Sequence, residues 1–290
     1  MPDKFTATWV SHSSISDFLK CPRAYYLGNV YKNPQTGHKV KITSPSLSLG
    51  SAVHEILESL SNLPTATRFK KSLLDQFTST WKKFTGKKGG FLSKEQEAEY
   101  KLRGEKMIRH VMENPGPLEN LSVKIKQELP QFWLSEKEEI ILCGKVDWLE
   151  YLPDTDTVHI IDFKTGKNSE SESSLQLPIY SLLVHNCQQR KADKASYWYL
   201  ANGDGLQEKP LPDLKQAQEE ILQIAKKIKL QKKLNKLDCP HGQKGCFACR
   251  PYEAIISGQA ELVGQNDFRQ DLYLVDPNAG KESSEDSVIL

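Results

Sequence analysis

Gly144-Lys145-Val146-Asp147-Trp148-Leu149-Glu150-Tyr151-Leu152-Pro153-Asp154-Thr155-Asp156-Thr157-Val158-His159-Ile160-Ile161-Asp162-Phe163-Lys164 is the stretch that decides the fold. Its middle, Pro153 to Asp156, is a turn by composition: Pro presets a backbone angle, and Asp side chains bond their own backbone. The flanks belong to two strand-like runs, Glu139 to Tyr151 and Val158 to Lys164. If the hairpin pairs symmetrically about residues 154 and 155, partner numbers add to 309 and Asp147 falls opposite Asp162. Directly opposed residues have Cβ atoms about 4.5–5.5 Å apart. Two carboxylates that close repel unless a cation lies between them. Lys164, two positions beyond Asp162, shares its face. The plain alternative is a solvated hairpin face with an ordinary Asp–Lys pair, and a one-residue slip would part the two acids.

Two acids and a lysine on one face suit phosphodiester hydrolysis. Carboxylates hold Mg²⁺ or Mn²⁺ through hard oxygen ligands. Such an ion polarises a phosphate and acidifies a bound water. Lys164 can orient that water or offset charge growing on the phosphate. The Phe163 backbone carbonyl is a candidate extra ligand. Glu128, at the end of an upstream alternating run, is a candidate third acid.

Outward from the hairpin, Ser122 to Glu128 alternates like a strand, and residues 174–186 have helical spacing. Ala195 to Leu200 is a further strand, and residues 213–235 form a basic amphipathic helix. Before the strands, a short helix follows Ser11 and stops near Cys21-Pro22. Residues 32–46, with Pro34, Gly37 and Pro45, read as a loop. Residues 49–61 form a helix with Val53, Ile56, Leu57 and Leu60 on one face. Helical stretches follow at 66–84 and 93–113, parted by a Gly/Lys loop. These elements predict an α/β protein: a central mixed β-sheet flanked by helices, with an N-terminal helical part. One domain over residues 1–264 is expected, with a helical insertion at about 62–118 and a Cys-rich segment at 239–256. Residues 265–290 are polar, and a flexible tail is expected there.

Four separated motifs resemble the PD-(D/E)xK nucleases, specifically the RecB-like exonuclease branch. Gly50 to Glu58 (GSAVHEILE) resembles that branch's G-xxx-H-xx-LE helix. Gly144 to Asp147 resembles its G-x-x-D strand, and Asp162 to Gly166 its D-x-K-T-G strand. Gln176 to Tyr180 resembles its Q-xxx-Y helix. All four fall in the family's order. The resemblance implies a restriction-endonuclease-like core and a metal-dependent deoxyribonuclease, exonuclease rather than endonuclease, in DNA repair, recombination or CRISPR adaptation. It implies that His54 joins Asp147 and Asp162 as a metal ligand, and an imidazole biases a site toward Mn²⁺. It implies that Gln176 and Tyr180, on one helical face, contact DNA phosphate or the catalytic lysine. Ser173-x-x-Gln176 also fits a capping box, which would use Gln176 otherwise.

Cys143 and Cys187 fall in apolar runs and read as core residues. Cys239, Cys246 and Cys249 cluster in a C-x₂-C pattern with a nearby third thiol, a metal signature. Three ligands are too few for a closed site, and Cys21 is the natural fourth. RecB-like nucleases often carry an iron–sulfur cluster on one early Cys and three late ones, so the resemblance implies a [4Fe–4S] cluster on Cys21, Cys239, Cys246 and Cys249. The usual closing pattern, C-x₂-C-x₅-C, is broken: Ile255 stands at its last position. A zinc site, with His241 as a possible ligand, is the alternative.

The balance of 39 basic and 37 acidic side chains gives a net charge of +2, so any nucleic-acid surface must be local. Candidates are Lys82, Lys83, Lys87 and Lys88 in one loop, and Lys226, Lys227, Lys229, Lys232, Lys233 and Lys236 on one helix. Lysine runs are more often solvated faces. Tyr197, Trp198 and Tyr199 read as core. Nothing resembles a base-reading element, so single-stranded DNA or DNA ends are the expected substrate. With no P-loop motif, unwinding would need a helicase partner, and CRISPR-adaptation proteins are the other partners implied. No apolar run of about 18 residues exists and no apolar signal core opens the chain, so a cytoplasmic protein without membrane contact is expected. A competing class is a catalytically inactive DNA-binding or structural subunit of a helicase–nuclease complex.

Overall fold

The computed structural model describes residues 3–203 and 205–276. Strand β1 (Thr8–Val10) leads into α1 (His12–Lys20) and α2 (Pro22–Tyr25). A reciprocal cap starts α1: the Ser14 N–H donates to Ser11 Oγ at 3.3 Å, and the Ser11 N–H donates to Ser14 Oγ at 2.8 Å. Strand β2 (Val40–Ile42) precedes three helices, α3 (Pro45–Ser59), α4 (Leu73–Trp81) and α5 (Lys94–Glu113). Then come β3 (Gln131–Ser135), β4 (Ile140–Cys143), β5 (Trp148–Leu152) and β6 (Thr157–Lys164). Helix α6 (Gln176–Cys187) crosses to β7 (Ala192–Tyr199) and β8 (Leu206–Lys209). The chain closes with α7 (Leu214–Lys233), α8 (Arg250–Ile256), β9 (Glu261–Gln265) and β10 (Asp271–Leu274).

The central sheet has the order β5-β6-β7-β8. Strands β5 and β6 are antiparallel, and every Cα pair, from Trp148↔Ile161 to Leu152↔Thr157, adds to 309. Strand β6 runs parallel to β7, and β7 antiparallel to β8. Side chains alternate along β6, and both faces are buried. Val158 and Ile160 pack with α6, α7 and the small β1-β4-β3 sheet. Ile161 and Phe163 pack with Trp148, Trp198 and the apolar faces of α3, α4 and α5. This makes helices on both faces of a mixed sheet, the predicted α/β class. The 153–156 turn is closed by Asp156, at φ 50°, a left-handed angle that Asp tolerates. Its carboxylate accepts from Tyr151 at 3.0 Å and Arg190 at 2.7 Å.

Four expectations change. The strand run Glu139–Tyr151 is two strands in two sheets, broken at Gly144–Asp147, and the break frees Asp147 from strand pairing. A Cβ at Gly144 would lie 3.0 Å from Leu183 on α6, so the chain turns where it passes that helix closely. Ser122–Glu128 is not a strand: it makes one bridge, Ser122↔Glu150, and the pairing partner of β4 is the later segment Gln131–Ser135. The loop at 32–46 contains edge strand β2. Finally, residues 265–276 are not a loose tail. Strand β10 lies between β2 and β9, all four of its residues buried, and Leu272 pairs with Lys41. The domain therefore extends past residue 264; residues 277–290 lie outside the described residues.

A buried carboxylate explains the attachment. Asp271 accepts from Thr36 Oγ1 at 2.5 Å and Gln265 Nε2 at 3.0 Å, and its Oδ1 is 3.0 Å from His38 Nδ1. Burial opposes its charge, but these bonds outweigh burial and hold its pKa below the usual aspartate value.

Candidate active site

Asp147 stands just ahead of β5, and Asp162 and Lys164 end β6. The Phe163 N–H donates to Asp147 Oδ2 at 2.9 Å, tying the carboxylate to the neighbouring strand. In a strand, the N–H and C=O of one residue point to the same edge. The Lys164 carbonyl accepts from Leu200 on the β7 side, so the Phe163 carbonyl faces the Asp147 side, where β5 has not yet begun. This is the carbonyl singled out as a candidate ligand.

Helix α3 supplies the imidazole. Ser44 caps it, accepting the Leu47 N–H at 3.4 Å, and Pro45 occupies its first turn, where a missing N–H costs nothing. A Cβ at Gly50 would lie 3.4 Å from Thr165 Oγ1, so the helix runs close past the end of β6. One turn on, His54 Nδ1 is 3.4 Å from Asp147 Oδ2 and 3.4 Å from Glu58 Oε1. The ligand-type atoms of His54, Glu58 and Asp147 all lie within 4.8 Å of one another. Asp162 is not in this trio; it is linked to Asp147 through the Gln176 amide and the Tyr180 hydroxyl.

Helix α6 closes the site. Gln176 Oε1 accepts from the Lys164 ammonium, and Gln176 Nε2 donates to Asp162 Oδ1 and, at 3.3 Å, to Tyr180. The Tyr180 hydroxyl donates to Asp147 Oδ1 at 3.3 Å. The capping box from Ser173 does not form: the helix begins at Gln176 and its side chain turns inward. The Lys164 ammonium also meets Asp162 Oδ2 at 3.0 Å and Glu170 Oε2 at 2.8 Å, with the Tyr197 ring 5.0 Å away.

The electrostatics are those of a cation site. Burial, then the neighbouring Asp147 charge, push Asp162 up to about 7 against the pull of Lys164. Burial raises Asp147 too. Burial opposes a charged His54, but Asp147 and Glu58 outweigh it and push its pKa up to about 9. Asp162 Oδ2 is buried, and its 3.0 Å contact with the Lys164 ammonium is an ion pair rather than a well-directed hydrogen bond. Carboxylate oxygens with one imidazole fit a Mg²⁺- or Mn²⁺-type ion.

The structure therefore brings together His54, Asp147, Asp162, the Phe163 carbonyl, Lys164, Gln176 and Tyr180. Glu128 stands apart from this cluster: it is exposed and lines a cavity of about 490 Å³ that also reaches Glu58, Lys124, Lys126, Lys145 and Asp147. Sequence reasoning missed Glu58 and Glu170. The signal for Glu58 was its i+4 spacing from His54; Glu170 lies in the loop between β6 and α6, where periodicity carries no signal. The candidate DNA lysines are partly engaged: Lys83 pairs with Glu55, Lys87 with Glu261, Lys226 with Glu138 and Lys229 with Glu139. Tyr197, Trp198 and Tyr199 are all buried.

Cys21, Cys239, Cys246 and Cys249 converge, their sulfurs all within 4.8 Å of one another, while Cys143 and Cys187 are half-buried elsewhere. His241 is exposed and outside this group. Ile255 packs with Val40 and Tyr273 instead.

Among the described residues, no helix is long and apolar enough to cross a membrane. No curated protein matches the chain significantly. A family model described as the PD-(D/E)XK nuclease superfamily matches residues 9–254, which contain every residue of the site above. With the acidic pair, the lysine and the flanking helices in place on a mixed sheet, the chain belongs to the PD-(D/E)XK nuclease superfamily.

Proposed function

We propose that the protein is a divalent-metal-dependent deoxyribonuclease that attacks single-stranded DNA or DNA ends, working exonucleolytically. The supporting observation is the convergence of His54, Asp147, Asp162 and Lys164, all tied through Gln176, Tyr180 and the Phe163 N–H. His54, Asp147, Asp162 and the Phe163 carbonyl would hold the ion, with Glu58 beside them. When bound, a divalent ion polarises the scissile phosphate and acidifies water. Lys164 offers its ammonium to a phosphate oxygen, where charge grows as the bond breaks. Gln176 and Glu170 aim that ammonium. Tyr180 and the Phe163 N–H fix the Asp147 carboxylate, so no reorganisation is needed on reaction.

The cavity beside Asp147 is the open space next to the candidate metal ligands. Lys124 and Lys126 on its wall could meet a phosphate backbone. Glu55, Glu58, Glu128 and Asp147 line it too and Lys145 is paired with Glu58, so its charge is mixed. The preference for single strands or ends rests on the lack of a base-reading element in the sequence. The pathway read from the resemblance is repair, recombination or CRISPR adaptation, with a helicase or adaptation protein as partner.

The test is degradation of end-labelled single-stranded DNA with Mn²⁺ or Mg²⁺, by wild type and by Lys164→Ala. Metal-dependent shortening by the wild type, lost in the variant, is the expected result. DNA binding without cleavage at any metal concentration would favour an inactive subunit; equal cleavage by both proteins would remove the role of Lys164.

A further inference from the structure

The four-thiol group does not fit the [4Fe–4S] cluster that the resemblance implies. In such a cluster each thiolate binds a different iron at the corner of a cube, so the cluster's own breadth separates the sulfurs. Here all four sulfurs lie within 4.8 Å of one another, and Cys246 and Cys249 are 3.8 Å apart. A single tetrahedral zinc with Zn–S bonds of ~2.3 Å places its sulfurs ~3.8 Å apart. Four thiols that close, with no disulfide among the described cysteines, have room for one ion.

The sequence around the group departs from the cluster pattern in the same direction. The last cysteine of the family's closing pattern is Ile255 here, and it is a core residue against Val40 and Tyr273. Its replacement, Cys239, comes from the other side, seven residues before Cys246. The loop from Cys239 to Cys249 therefore folds back on itself instead of spreading. Two backbone donors already serve the sulfurs: the His241 N–H reaches Cys239 Sγ at 3.4 Å, and the Cys246 N–H reaches Cys249 Sγ at 3.1 Å. Such bonds offset thiolate charge.

We propose that Cys21, Cys239, Cys246 and Cys249 hold one structural zinc ion, and that this ion fastens the N-terminal helices to the C-terminal segment. Cys21 sits at the junction of α1 and α2; the other three precede α8. The same two regions meet again through the Arg23–Glu253 ion pair and where Gly28 lies against Tyr252. All four positions are cysteine sulfurs, which would bind zinc as thiolates in the closed arrangement of a structural site. No step of the proposed nuclease reaction depends on it.

The test is the metal content of the full chain, expressed with iron and sulfide supplied and purified both aerobically and anaerobically. The expected result is about one zinc per chain, no acid-labile sulfide, no visible absorption, and X-ray absorption reporting four sulfur neighbours. Brown protein with iron and sulfide in equal amounts would overturn the proposal, as would one iron without sulfide or no bound metal. Zinc release by a thiol reagent, followed by a fall in Tm restored on adding zinc, is expected alongside; unchanged Tm would overturn the fastening role.

Discussion

Phe163 donates its backbone N–H to Asp147 Oδ2 at 2.9 Å, so the strand carrying Asp162 and Lys164 also aims the opposing acid. The two acids are thus parts of one hairpin rather than chance neighbours. Asp147→Asn keeps an oxygen for the Phe163 N–H but removes the charge. We predict a loss of cleavage of about 10²–10³-fold, with Tm unchanged or raised, because a buried charge is removed. Thermal denaturation measured beside activity checks this; a large drop in Tm would make Asp147 a structural residue instead.

Glu58 faces His54 and Asp147 from one turn along α3. Glu58→Gln is expected to weaken Mn²⁺ binding by about 10–100-fold, measured by calorimetric titration. Glu55→Gln, an exposed residue paired with Lys83, is the control and leaves the affinity unchanged.

Gln176 touches both Lys164 and Asp162. Its removal lets the ammonium drift, and misplacement of about 1 Å can cost about 10²-fold. Gln176→Ala is predicted to lower kcat with little change in KM, the pattern of an interaction realised in the transition state. A rise in KM at constant kcat would assign Gln176 to DNA binding.

Much of this site was legible in the sequence, for a local reason. The turn at Pro153–Asp156 fixes the register, which brings Trp148 opposite Ile161. Asp147 and Asp162 each lie one residue beyond that last pair, and Asp147, outside the ladder, is held by the Phe163 N–H instead. Helix spacing likewise paired Gln176 with Tyr180. Long-range pairings carried no such signal. Strand β10 is four residues in a polar region, and its partner β2 is some 230 positions away. The run at Ser122–Glu128 alternates like a strand, yet Pro130 follows and β4 pairs instead with the segment beyond it. Ile255 could be read as a missing cysteine, but not as a core residue, without knowing that Val40 and Tyr273 cover it.

Asp271 supplies a stability test with a definite sign in pH. It is 0% exposed and held by Thr36, His38 and Gln265. Asp271→Asn is expected to cost about 1–3 kcal/mol at neutral pH, by denaturant unfolding. Because the folded pKa is depressed, the carboxylate stabilises above the ordinary aspartate pKa, and its contribution fades as pH falls toward the folded value. The gap between wild type and variant should therefore narrow in acid; a constant gap would mean that lost packing, not charge, is responsible.

The central geometric claim is tested most directly by crystals grown with Mn²⁺ and measured for anomalous scattering. The account predicts a peak within coordination distance of His54, Asp147, Asp162 and the Phe163 carbonyl, with the Lys164 ammonium outside the ligand shell. A saturating Mn²⁺ concentration that leaves this position empty, with the ion bound elsewhere or not at all, would contradict it.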